Sequence, residues 1–68
     1  MPFVSVRLVD APTQQQKQQV IAEITDVLVR VLGKNPATTV VVIEELSTDN
    51  WGIGGETVTV RRAKAGAK

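Results

Sequence analysis

Five consecutive residues, Thr39-Val40-Val41-Val42-Ile43, are β-branched without interruption. Branching at Cβ suits an extended chain better than a helix, and an unbroken run of this kind is typical of a strand covered on both faces, as in a parallel sheet. Residues 2–9 supply a partner. Val4, Val6 and Leu8 alternate with Phe3, Ser5 and Arg7, the period of a half-buried strand, until Asp10-Ala11-Pro12 breaks the pattern. Between the two, Val20, Ile21, Ile24, Val27, Leu28, Val31 and Leu32 recur at helical spacing, with Gln18, Gln19, Glu23, Asp26 and Arg30 on the other side. The spacing predicts an amphipathic helix over residues 13–32. Thr13 and Gln16 form a possible capping box at its start, Gly33 can adopt positive φ at its end, and Asn35-Pro36 forbids continuation. Strand, helix, strand is a β-α-β unit, and its crossover is expected to be right-handed.

One helix covers one face of such a sheet, so the second face needs another cover. The chain has 68 residues, enough for one domain over residues 1–68. A domain of that size buries only about 60% of its unfolded surface and usually needs a staple. There is no cysteine and no histidine, which excludes a disulfide and a structural zinc site of the usual kind. With 43% hydrophobic residues and only two aromatics, the expected remedy is aliphatic burial between subunits, and an oligomer is expected. Eight basic and seven acidic residues give a net charge of +1, which does not suggest an electrostatic nucleic-acid binder. No apolar run is long enough to span a membrane and no signal peptide is recognisable, so a cytoplasmic location is expected. Residues 63–68 read as a disordered, solvated tail.

Near the C-terminus, Trp51-Gly52-Ile53-Gly54-Gly55-Glu56 precedes the alternating Thr57-Val58-Thr59-Val60. Three glycines in four positions mark a tight turn, and the flanks predict a small β-hairpin. The cluster lacks the Gly-Lys-Ser/Thr ending of a phosphate-binding loop, and no helix start follows it in the sequence pattern. Backbone geometry accounts for these glycines.

Few groups remain for chemistry. Glu44 and Glu45 are neighbours at a strand end and point to opposite faces, so they cannot act as a close pair. They, Asp49 and Glu56 read as solvated charges. Ser5 and Ser47 have no histidine to serve as base, while Lys17 and Lys34 read as surface residues at the helix ends. Pro2 is different. Proline is tolerated as the first residue of a strand, but if Met1 is removed its nitrogen becomes a secondary amine, able to act as base or nucleophile. Trp51 has two readings, a packing anchor or the apolar wall of a small pocket, since both use the same rigid surface.

Pro2 opening a strand, Gln15-Gln16-Lys17 starting the helix and Trp51-Gly52-Ile53-Gly54-Gly55-Glu56 before a hairpin resemble the 4-oxalocrotonate tautomerase family, from Pro2 to Arg62. The resemblance implies an α/β subunit, β-α-β with a C-terminal hairpin reaching into a neighbour, assembled as a hexamer. It implies Pro2 as the catalytic residue, Trp51 as the pocket wall and Val9 as an apolar contributor beside it. The family's two substrate-binding arginines fall at Pro12 and Val40, or Val41 with a shift of one, none of which bears a charge. Arg7, Arg61 or Arg62 could supply a cation from a neighbouring subunit, or could be ordinary solvated surface arginines. The expected activity is cofactor-independent and metal-independent keto–enol tautomerisation of a small 2-oxo or enol acid. Desolvation would lower the Pro2 amine toward neutrality, making it a general base. Two alternatives stand beside this: a hydratase- or dehalogenase-like relative, and a non-catalytic or complementing subunit of a mixed hexamer.

Overall fold

In the computed structural model, which describes residues 1–66, strands β1 (Phe3–Leu8) and β2 (Val40–Glu45) pair in parallel. Phe3 stands opposite Val40 and Leu8 opposite Glu45. The ladder extends past both ends: the Val40 N–H donates to the Pro2 carbonyl at 3.0 Å, and the Leu46 N–H to the Leu8 carbonyl at 2.7 Å. Helix α1 (Gln14–Leu32) makes the crossover.

Both ends of α1 are built as the residues dictate. The Thr13 hydroxyl accepts from the Gln16 N–H at 3.1 Å, and the Gln16 side-chain oxygen accepts from the Thr13 N–H at 2.9 Å. Gly33 takes φ 65° and its N–H bonds to the Val29 carbonyl at 3.0 Å. The Asn35 side chain then accepts from the Ala37 N–H at 2.9 Å, nucleating a 3-10 turn over Pro36–Thr38 that delivers the chain to β2.

Burial alternates along both strands. Val4, Val6 and Leu8 of β1 and Val41 and Ile43 of β2 are half-buried on one face, while Phe3, Ser5, Arg7, Val40, Val42 and Glu44 are exposed on the other. The β-branched run is therefore covered on one face within the protomer, and its second face is open. Glu44 and Glu45 do point apart: Glu44 meets Arg7 on the open face at 3.4 Å, while Glu45 pairs with Lys17 of α1.

After β2, a 3-10 turn at Thr48–Asn50 leads into a hairpin of β3 (Gly52–Ile53) and β4 (Glu56–Thr57). Gly54 and Gly55 form its turn at φ 61° and 86°. Positive φ at both central positions matches the right-handed twist of the flanking strands, and glycine takes it without steric cost.

The sequence pattern is overturned beyond Thr57. Val58–Gly66 is a second helix, α2, where Thr57–Val60 alternates like a strand. The hairpin ladder ends with the Val58 N–H on the Trp51 carbonyl at 2.8 Å, because residues 48–50 are coiled into their own turn and offer no further partner. The Thr57 hydroxyl instead accepts from the Val60 N–H at 3.1 Å, an N-cap contact. Arg61-Arg62-Ala63-Lys64-Ala65, good helix formers, then propagate the helix. The tail expected over residues 63–68 is thus helical through Gly66, and Ala67 and Lys68 lie outside the described residues.

Among the described residues Val58 alone is buried, at 9% exposure. The radius of gyration is 16.0 Å, where a compact chain of this length would have about 11 Å. The protomer exposes 5121 Å², against about 4,200 Å² for a typical folded monomer of its mass. The hairpin and α2 project from the β-α-β unit, and the molecule measures 50 × 25 × 16 Å.

Candidate active site

Pro2 stands where β1 begins, half-buried, its carbonyl fixed by Val40. Met1 in front of it is 93% exposed, and while it is attached the Pro2 nitrogen is an amide. The other residues singled out in the sequence lie elsewhere. Val9, half-buried, follows the last residue of β1, seven residues on from Pro2, which at the rise of a strand is about 23 Å away. Arg62 of α2 reaches that far end: its Nη1 and Nη2 donate to the two carboxylate oxygens of Asp10 at 2.8 and 2.5 Å. Trp51, half-buried, lies five residues beyond Leu46, which pairs with Leu8 at that end, and its carbonyl accepts from the Val58 N–H at the start of α2. Arg7 lies along the open sheet face, tied to Glu44. One protomer therefore brings Trp51, Val9 and Arg62 to one end and holds Pro2 at the other.

Asp10 is the residue that sequence reasoning missed, taken there only as a pattern breaker. It sits at φ 66°, a left-handed position that aspartate tolerates better than most residues. The hydrogen bonds from Arg62, helped by its charge, hold the Asp10 carboxyl below the usual aspartate value, and the same contact raises Arg62. The signal was present: an aspartate between a strand and a capped helix is a common left-handed turn residue. Nothing in the sequence, however, named its partner 52 residues away.

Two open grooves flank these elements. The larger, about 480 Å³, lies between the hairpin and α2, with Ile53, Val58 and Ala65 as its apolar floor and Glu56, Arg61 and Lys64 around them. The smaller, about 360 Å³, lies between the end of β1 and the start of α1, lined by Leu8, Pro12, Gln16 and Val20 among others. Pro2 lines neither. Among the described residues no three carboxylates gather as a metal site, and no helix is long and apolar enough to cross a membrane.

A strand preceded by proline, a long crossover helix, a second parallel strand and a short hairpin are the features that the comparisons with known proteins bear on. The sequence profile of the family described as tautomerase enzyme matches residues 2–61. The chain belongs to the tautomerase family. Probable tautomerase K2 of Dickeya dadantii is 62% identical over 66 residues, covering 96% of this chain and 98% of that protein. The 2-hydroxymuconate tautomerase of Pseudomonas putida is 36% identical over 55 residues, covering 81% and 87%. Among solved structures, a 4-oxalocrotonate tautomerase isozyme of Methylibium petroleiphilum superposes with a TM-score of 0.87 at 30% identity, covering 93% of this chain and 98% of that one. Membership supports a tautomerase-type isomerase function for this chain.

Proposed function

We propose that the chain is a cofactor-independent keto–enol tautomerase of a small 2-oxo or enol acid, acting in the cytoplasm, with the Pro2 amine as general base once Met1 is removed. The observation that carries this reading is the position of Pro2. It opens β1, anchored through its carbonyl while its nitrogen is spared from the ladder, in a chain with no histidine or cysteine to compete for the role. A secondary amine in a poorly hydrated pocket loses basicity because the ammonium form is the one desolvation penalises. Poised near neutrality, it takes a proton from an enol hydroxyl, or from carbon beside a carbonyl, and returns it elsewhere on the same molecule. No net oxidation occurs.

The working site is assembled between protomers. Pro2 and the Trp51 end of the same chain are too far apart to hold one small substrate, and the open sheet face, with Phe3 67% and Val42 37% exposed, needs a cover. A homo-hexamer in which one protomer's hairpin meets its neighbour's Pro2 satisfies both requirements. Trp51 and Val9 then wall the pocket, and a cation from the neighbour offsets the charge of the enolate, since Pro12 and Val40 cannot.

The test has two parts. Intact mass of the natively expressed protein should be lower than the encoded chain by one methionine. Pro2→Ala should then lower turnover of an enol acid about 10²–10⁴-fold, the usual contribution of a positioned base. Undiminished turnover in Pro2→Ala would rule out the assignment. Retained Met1 in an inactive protein would favour the complementing-subunit reading instead.

A further inference from the structure

The turn at Thr48–Asn50, the hairpin and α2 form an arm with its own internal bonds. The Val58 N–H donates to the Trp51 carbonyl at 2.8 Å. The Thr59 hydroxyl donates to Asp49 and accepts from Thr48 Oγ1 at 2.6 Å. Lys64 pairs with Glu56 of β4. These contacts hold Trp51, the hairpin and α2 together as one piece.

The joint between this arm and the β-α-β unit is different. Past Leu46, the hydrogen bonds and ion pairs among the described residues cross it at one place. There the Arg62 guanidinium donates to both carboxylate oxygens of Asp10, at 2.8 and 2.5 Å. Lys17 and Glu45, the other charges at that end, are engaged with each other. Among the described residues, the clamp is thus the one polar tether of the arm apart from the chain itself. Two parallel bonds from a planar fork fix an angle as well as a distance. Asp10 takes φ 66°, a region where asparagine serves as well as aspartate and glycine is freer than either. What aspartate adds is the carboxylate. Val9 precedes it in the chain, so the clamp closes beside Val9 and, through α2, holds Trp51.

We propose that Asp10 is a positioning residue for the tautomerase site. By clamping Arg62 it sets the arm, and so fixes Trp51 relative to Val9 in the wall that one protomer offers to the Pro2 of the next. The proposal rests on the tautomerase reading and deepens it by naming what orients that wall. Neither Asp10 nor Arg62 touches the substrate in this role. A wall held in place keeps water from the Pro2 amine, and that exclusion is what lowers its basicity. A loosened arm lets water in, and the amine moves back up toward its ordinary value.

Trp51 is the only tryptophan of the chain, so its fluorescence reports the arm without any turnover. Asp10→Asn and Arg62→Gln should each shift the emission to the red and increase quenching by acrylamide. The double variant should match either single one, because both remove the same contact. Arg62→Lys keeps the charge and loses the fork, and should fall between. As the mildest change, it keeps the test decisive should a harsher one fail to assemble on size exclusion. Activity is then read as exchange of the C3 protons of 2-oxobutanoate in D2O, followed by NMR. Asp10→Asn should lower kcat/KM at least about tenfold and move the rising limb of its pH profile, where Pro2 loses its proton, up by about one unit. Damage that only reduces the number of intact molecules lowers the curve without moving it. Arg30→Gln, which breaks a surface pair with Asp26 on α1, should change neither readout.

Unaltered Trp51 emission in Asp10→Asn and Arg62→Gln, a lowered curve with an unmoved limb, or equal effects from Arg30→Gln would overturn the proposal. Should Pro2→Ala lose exchange while Asp10→Asn keeps it, the tautomerase reading stands and the positioning role fails. Should wild type and Pro2→Ala exchange 2-oxobutanoate at the same rate, Pro2 is not the base and the positioning role falls with it, while a shifted Trp51 emission would still establish the clamp.

Discussion

At the scale of single residues, the Asp10–Arg62 pair is what ties the C-terminal helix to the end of the first strand. Both partners are more than half exposed, so the pair acts as a locator of α2 rather than a large source of stability. Its pH dependence has a definite sign. Arg62 lowers the Asp10 carboxyl in the folded state, so the contribution is fully present above the unfolded aspartate value of about 3.9. It is lost as the pH falls through the lower folded value. Acidification should therefore release α2, visible as shifts in the amide resonances of residues 58–66. Asp10→Asn keeps a residue that tolerates the left-handed backbone but removes the charge. Its α2 resonances should already be shifted at pH 7, and the acid step belonging to Asp10 should vanish. An unchanged acid step in that variant would assign the transition to another carboxylate.

Elements differ in how plainly the sequence announces them. Helix α1 is legible because its signals agree: a capping box, an apolar stripe, a glycine able to turn left-handed and a following Asn-Pro. β1 and β2 are legible from alternation and from the β-branched run. Helix α2 is not, because Thr57-Val58-Thr59-Val60 satisfies the period of a strand equally well. What decides against the strand is the coiling of residues 48–50 on the opposing side, a tertiary fact, after which the Thr57 hydroxyl caps a helix. A nine-residue helix is too short to persist in water on propensity alone. Thr57→Val, which keeps the shape but deletes the cap, should cost about 1 kcal/mol of local stability and raise amide exchange across residues 58–66. Exchange rates equal to wild type would show that packing of Val58, rather than the cap, holds α2. The candidate site divides in the same way. Pro2 and Trp51 stand out as residue types, but their separation within one chain depends on strand length and the placement of the hairpin, which a local pattern does not encode.

For the whole molecule, one buried side chain among the described residues and a radius of gyration of 16.0 Å support assembly into an oligomer, and the proposed site needs the neighbours to complete the protomer's core. Folding and assembly should then be one transition, with a melting temperature that rises with protein concentration. Val42→Asp places an unpaired charge on the open sheet face and should yield unassembled, largely unfolded chains by size exclusion and circular dichroism. A folded monomer melting at a concentration-independent temperature would contradict the proposed assembly. The same geometry makes the catalytic claim directly testable by complementation. Pro2→Ala and Trp51→Ala should each be nearly inactive on an enol acid, since each removes a different part of every site. When the two are denatured together and refolded as a mixture, some sites combine an intact Pro2 from one chain with an intact Trp51 from the other, and activity should return. A mixture no more active than its parents, or a Trp51→Ala protein with full activity on its own, would contradict a site shared between protomers.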